Sequence, residues 1–181
     1  MPGAPDTDRI TVRDATENDL PSIQAIYAHH VNHGLASFEE VPPDNAEISR
    51  RRDVARGHDL PYLVAETDGA IQGFAYASPF RDRSAYRYTV EDSVYVAPHA
   101  LGSGIGSALL SEVIAKCTER GFRQMIAVIG DSANQASIGL HAKHGFVPTG
   151  QMTAVGFKFG RWVDSVRMQR SLGPGDTNLP E

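Results

Sequence analysis

Residues 92–110, DSVYVAPHALGSGIGSALL, constrain this chain more than any other stretch. Apolar residues alternate at Val94 and Val96, as in a half-buried strand, and the pattern stops at Pro98. A loop carrying Gly102, Gly104 and Gly106 follows, and Ile105, Leu109, Leu110, Val113 and Ile114 then recur at helical spacing. A strand, a glycine-rich turn and a helix N-terminus together form an anion site. The first helical turn has N–H groups without partners and the positive end of the macrodipole, and glycines let a phosphate approach that backbone closely. Two common phosphate loops do not fit. A P-loop closes its glycines with a Lys-Ser/Thr pair, but here Ile105-Gly106-Ser107 follows with no lysine. A dinucleotide fingerprint is spaced G-x-G-x-x-G, whereas this loop reads Gly102-Ser103-Gly104-Ile105-Gly106.

The length of 181 residues suits one domain with a substantial core. An apolar fraction of 41% and a charged fraction of 22% are those of an ordinary soluble globular protein. The net charge of -5 argues against a nucleic-acid partner, which would call for a basic chain. The single cysteine, Cys117, excludes an intramolecular disulfide and a cysteine-based zinc cluster. It falls in the helix after the glycine loop and reads as a buried, inert thiol. No run approaches the roughly 20 apolar residues of a membrane span. The opening MPGAPDTD is polar and acidic, unlike a signal peptide. A cytoplasmic enzyme without a membrane partner is the expectation.

Taken in order, residues 1–8 and 171–181 read as disordered ends of a single domain spanning 9–170. Strands are expected at 10–13, 62–66, 71–78, 86–96, 124–129, 146–153 and 161–170, with residues 154–160 as a hairpin or insertion. Helices are expected from about Glu17 to Val31, where Thr16 and Asp19 can cap the start, from Asp44 to Arg56, from the glycine loop to Arg120, and over 134–143. His29, His30 and His33 include one pair at helical spacing but no intervening glutamate of a zinc protease, so they read as surface histidines; no metal is expected. The alternation of elements indicates one mixed α/β domain.

Two motifs carry a resemblance to a known family. Gly104-Ile105-Gly106 after a V-x-V strand resembles the acetyl-coenzyme A loop of the GCN5-related N-acetyltransferases, commonly Arg/Gln-x-x-Gly-x-Gly/Ala. Asn134-Gln-Ala-Ser-Ile-Gly-Leu140-His141-Ala-Lys143-His-Gly145-Phe146 resembles their second signature, N-x-x-A/S-x-x-L-Y-x-K-x-G-F. The resemblance covers about residues 9–170 and implies a single-domain fold: a mixed central sheet flanked by helices, with a V-shaped opening between the central strands. Within the family, SPFRDRSAYRYTVEDSVYV together with VGFKFGRWVD is similar to the phosphinothricin and methionine sulfoximine N-acetyltransferases. That implies transfer of acetyl from acetyl-coenzyme A to the α-amino group of a small glutamate-like amino acid by a homodimer. Leu101 stands where the family usually has Arg or Gln, and His141 where it usually has Tyr.

The resemblance also implies roles. Glu91 occupies the position of the general base, and strand alternation sends Asp92 to the opposite face. Its bland alternative is an exposed strand carboxylate. Backbone groups of Val94, Tyr95 and Val96 would pair with pantetheine as an added strand, one N–H serving the oxyanion. Gly102, Ser103, Gly104, Ile105, Gly106 and Ser107 would cradle the pyrophosphate, and the Asn134 amide would bond the pantetheine arm. His141 is either the acid that protonates the thiolate or a plain helix histidine; Lys143 reaches a coenzyme phosphate or only solvent. Arg81 and Arg83, with Ser84, Tyr86 and Phe38, are the candidates for holding the acceptor, and Lys158 and Arg161 are secondary. Glu39 is a further candidate for the pocket wall, and Trp162 belongs to the core or a dimer interface. Rival readings are acetylation of a peptide N-terminus or lysine, and a coenzyme A-binding module without catalysis.

Overall fold

The computed structural model describes residues 10–180; the expected disordered segment at 1–8 lies outside the described residues. The chain opens with β1 (Thr11–Asp14), after which Thr16 and Asp19 close a capping box. The Thr16 amide donates to Asp19 Oδ2 at 2.7 Å, and this box starts a short 3-10 turn rather than the α-helix directly. Helix α1 (Leu20–His33) follows, with Pro21 tolerated in its first turn. Helix α2 (Asn45–Gly57) is capped by Asp44, whose carboxylate accepts from the Glu47 amide at 2.8 Å.

Strands β2 (Tyr62–Thr67) and β3 (Ala70–Pro79) form the expected hairpin around Asp68-Gly69, both with positive φ. Strand β4 (Thr89–Val96) begins later than its sequence suggests, because Ser84–Tyr86 coils into a 3-10 turn. Helix α3 (Ile105–Glu119), β5 (Gln124–Gly130), α4 (Gln135–Lys143), β6 (Val147–Lys158) and β7 (Arg161–Ser171) complete the chain. Residues 154–158 extend β6 through a bulge at Met152/Gly156 instead of forming a separate insertion, and the reversal lies at Phe159-Gly160. After β7, where a disordered tail is expected, Leu172 is buried and Arg123 Nη1 donates to Asn178 Oδ1 at 2.7 Å, drawing the segment onto the body.

The seven strands form one sheet in the order β1-β2-β3-β4-β5-β7-β6. Its one parallel contact joins β4 to β5, and this pairing runs only from Thr89↔Gln124 to Asp92↔Ala127. Beyond it β4 stays paired with β3 as far as Val96↔Gly73, and β5 with β7 as far as Gly130↔Ser165. The sheet therefore splits into two halves that share a short seam, and this is the V-shaped opening. The two faces are covered differently. A Cβ on Gly73 would meet Ile105 and Leu109 of α3, whereas its neighbour Phe74 lies edge-on to Tyr27 of α1. Successive strand residues point to opposite faces, so α3 covers one side and α1 with α2 the other. Leu63, Val64 and Ala65 are buried in succession, as befits a strand covered on both faces.

Candidate active site

The wedge is built from the unpaired edge of β4. The Ala97 amide donates to the Gln72 carbonyl at 2.8 Å, so Ala97 faces β3. By the two-residue period, Val94 and Val96 turn their N–H and C=O groups to the open side. One of these groups is already engaged. His30, half-buried on α1, sets Nε2 2.8 Å from the Val96 carbonyl oxygen, and burial holds its pKa below the ordinary value, leaving a neutral ring that donates. The Val94 N–H, the Val94 C=O and the Val96 N–H remain on the open side.

The glycine loop continues this edge. Gly102 and Gly104 take φ of 77° and 91°, a region other residues enter only with strain, and Gly104 caps α3 with no side chain on the first-turn amides. A Cβ on Gly106 would stand 3.3 Å from Leu140 Cδ2 and 3.5 Å from Val96 Cγ2, so α3 packs closely on α4 and β4 at this glycine and an added methyl would press on Leu140. A cleft of about 350 Å³ runs along these elements. Val94, Tyr95, Val96, Gly102, Gly104, Ile105, Gly106, Ser107 and Asn134 line it, as does exposed Leu101; Ser103 and Lys143 do not. Asn134 spends its amide oxygen on capping α4, accepting from the Ser137 amide at 3.2 Å. His144 Nε2 lies 2.8 Å from Ser107 Oγ, tying the end of α4 to the first turn of α3.

A second cavity, about 630 Å³, opens on the other side of the wedge and shares Tyr95 with the first. Glu91 lines it, together with Phe38, Tyr27, Tyr76, Ser93 and Glu39. Burial raises the Glu91 pKa above 4.5; the charge of Asp92 adds to the rise and Arg81 opposes it. The cavity wall is held by a polar network: the Tyr27 hydroxyl donates to Glu39 Oε1 at 2.8 Å, and Arg51 Nη1 reaches the same oxygen at 2.7 Å. The 35–38 segment is clamped from behind. Lys158 Nζ donates to the Ser37 carbonyl at 2.7 Å, while added Cβ atoms on Gly130 and Gly156 would overlap the Leu35 carbonyl and the Phe38 ring.

Arg81, Arg83, Ser84 and Tyr86 lie outside this cavity, on the exposed loop before β4. Of that group only Arg81 is felt at Glu91, through its charge. Lys158 serves the backbone of Ser37, and Arg161 sits 3.7 Å from Asp131. Trp162 is 65% exposed, which removes it from the core. His141 is buried, with Nε2 2.9 Å from Asp92 Oδ2 and Nδ1 2.8 Å from the Ser137 carbonyl. Burial alone pulls its pKa down, and the hydrogen bond and charge of Asp92 outweigh that and raise it. Cys117 is buried and its thiol is pushed up to about 12 by burial, so it is no nucleophile here.

Sequence reading misses His30, Tyr27 and Tyr76 as site residues. His30 does continue the buried Ile23, Ile26, Tyr27 face at helical spacing, which separates it from exposed His29 and His33. Among the described residues, no group of three or more His, Cys, Asp or Glu is arranged to hold a metal, and no helix is long and apolar enough to cross a membrane.

A split α/β sheet with a glycine-cradled helix N-terminus at one mouth and a buried carboxylate at the other defines the class: a group-transfer enzyme that seats an extended phosphorylated donor against a strand edge. The model of the Acetyltransferase (GNAT) family matches residues 24–146. The chain is 58% identical over 171 residues to a phosphinothricin N-acetyltransferase of Alcaligenes faecalis, covering 94% of this chain and 87% of that protein. It is 41% identical over 165 residues to an L-methionine sulfoximine/L-methionine sulfone acetyltransferase of Pseudomonas paraeruginosa, covering 91% of this chain and 95% of the relative. Among solved structures, a GNAT superfamily phosphinothricin acetyltransferase of Sinorhizobium meliloti in complex with AcCoA superposes with a TM-score of 0.93 at 51% identity, over 96% and 94% of the two chains. The chain belongs to the GNAT family and is an acetyl-CoA-dependent N-acetyltransferase.

Proposed function

We propose that this enzyme acetylates the α-amino group of a small glutamate-like amino acid, of the phosphinothricin or methionine sulfoximine kind, with Glu91 as general base. The observation that carries the reading is the position of Glu91. It lines the acceptor cavity, half-buried, and that cavity shares Tyr95 with the donor cleft. The activities named for the relatives support the choice of acceptor class.

Acetyl-CoA supplies an activated acyl group as a thioester. The first-turn amides of α3 and the backbone from Gly102 to Ser107 fit its pyrophosphate, because glycines keep that backbone bare. The open edge at Val94 and Val96 suits the amide groups of the pantetheine arm, and an N–H there is available to the oxygen that gains charge as the amine attacks. An α-ammonium has a reference pKa near 8, so it must lose a proton before it is a nucleophile. Glu91, with a raised pKa, holds that proton better than an exposed carboxylate and has no cation bonded to it. Phe38, Tyr27 and Tyr76 wall the acceptor cavity. Arg81 and Arg83, on the neighbouring loop, are assigned to the acceptor's acidic groups, with Ser84 and Tyr86 beside them.

The enzyme is assigned as a homodimer through the β6–β7 hairpin, where Phe157, Phe159 and Trp162 are each more than half exposed. The test of function is thiol release from acetyl-CoA with phosphinothricin, methionine sulfoximine, glutamate and a short peptide, for the wild type and Glu91→Gln. Turnover of the first two, lost in the variant, is expected. Turnover of peptides alone would overturn the acceptor class. Coenzyme binding without turnover of any acceptor would overturn catalysis of this kind.

A further inference from the structure

Asp92 follows Glu91 on β4 and turns to the opposite face, where it is buried against α4. Its Oδ2 lies 2.9 Å from His141 Nε2, and His141 Nδ1 lies 2.8 Å from the Ser137 carbonyl oxygen. A carbonyl oxygen only accepts, so Nδ1 carries a hydrogen. The contact with the carboxylate requires one more proton, and the hydrogen bond to Asp92 favours keeping it on Nε2. The pair is then neutral as a unit, with both ring N–H groups engaged. His141 borders the wedge as a fixed, fully protonated ring and cannot act as a base there.

The second oxygen of Asp92 sharpens the point. Oδ1 is buried and accepts no hydrogen bond from any described residue. Asp92, Ser93, Val94, Asn134 and His141 line a cavity of about 50 Å³ where β4 and β5 part. A buried carboxylate oxygen needs a donor, and a cavity of that size bordered by polar groups has room for a water to supply one. An asparagine or serine would satisfy His141 sterically with no charge buried.

We propose that Asp92 is a positioning residue for the transfer reaction: it holds His141 in the throat of the wedge, doubly protonated, with both ring nitrogens engaged. The proposal rests on the acetyl transfer proposed above. The charged and titratable groups that face the pair are few: Glu91 beside Asp92 on β4, Cys117 on α3 and His144 on α4.

The test combines a spectroscopic and a kinetic measurement on the full chain. In 15N-labelled wild type, the ring nitrogens of His141, assigned by difference against His141→Gln, are expected to stay protonated well above the ordinary histidine value of about 6.5. In Asp92→Asn the ring is expected to fall to a single protonated nitrogen. In the same variant kcat should fall by ~10–10²-fold, the size of a misplaced group beside the reacting atoms, while KM for acetyl-CoA stays in place. A wild-type ring with one bare nitrogen overturns the proposal without recourse to any variant. So does an Asp92→Asn enzyme whose kcat is unchanged. Full activity in Glu91→Gln would instead sink the base assignment, and the ring measurement would still decide how Asp92 holds His141.

Discussion

Glu91 differs from an ordinary surface carboxylate by its burial and its neighbours. Both burial and Asp92 favour the protonated form, so its ionisation comes later on the pH axis than the usual 4.5. A base works when ionised. Activity should therefore climb as pH rises through this raised value, and the climb should vanish with Glu91→Gln, whose turnover is expected to be lower by about 10²–10⁴. A pH–rate profile for both proteins checks the sign and the size together. An unchanged acid limb in the variant would assign that limb to another group. Glu91 was singled out in the sequence through the family resemblance, and the structure sets it in the wall of the second cavity. His141 was visible too, but its partner was not. Strand alternation places Asp92 on the far face without saying which helix residue it meets there, since that meeting depends on how α4 packs on the sheet.

Elements carry the next scale of argument. The start of α1 is held by Asp19, which takes the Arg13 fork at 2.8 and 2.9 Å and the Thr16 amide. The Arg13 hydrogen bond is the largest cause that holds its pKa down at about 2 against a usual 3.8. A depressed carboxylate stabilises the fold above its unfolded pKa, and that stabilisation is lost as pH falls through the folded value. Asp19→Asn should thus lower stability by on the order of 1–2 kcal/mol near neutrality, with the difference fading between about pH 4 and pH 2. Denaturant melts of both proteins across that range measure it. The capping pair Thr16/Asp19 was legible in the sequence, as were the β2–β3 hairpin and the glycine-loop helix, because each is set by local chemistry. The 35–38 segment was not. Its path depends on close approaches to Gly130 and Gly156 and on Lys158, residues 92 or more positions away, and no local pattern encodes them. For the same reason Lys158 reads as a substrate cation in the sequence and is a strut in the fold. Residues 154–158 were ambiguous because a bulge at Met152/Gly156 breaks the two-residue period that marks a strand.

At the scale of the whole molecule, three exposed aromatic side chains stand together on one outer hairpin. Phe157 and Trp162 are cross-strand partners with ring centroids 5.1 Å apart, and Phe159 sits at the turn beyond them. The proposed homodimer would bury this surface. Trp162→Glu should then shift the sedimentation of the enzyme toward that of a single 19.6 kDa chain, and a wild type that already sediments as one chain would overturn the dimer. The fold class was legible at this scale because two motifs flank one strand in the right order. The position of Arg81 and Arg83 was not: they lie outside the cavity that Glu91 lines, on the exposed loop that coils at Ser84–Tyr86 before β4 begins.

The short seam between β4 and β5 has a further consequence. Two half-sheets joined through Thr89–Asp92 leave the Val94 and Val96 amides without a strand partner, so a donor seated as proposed would complete the sheet. It would be a removable eighth strand as well as a reagent. Adding CoA at a hundredfold excess over its dissociation constant should raise unfolding stability by about 2.7 kcal/mol. The same addition should slow hydrogen exchange at Val94 and Val96 while leaving β1 and β2 unchanged. An enzyme built this way is sturdiest while its donor pool is full, and it loosens along its own midline when that pool runs down.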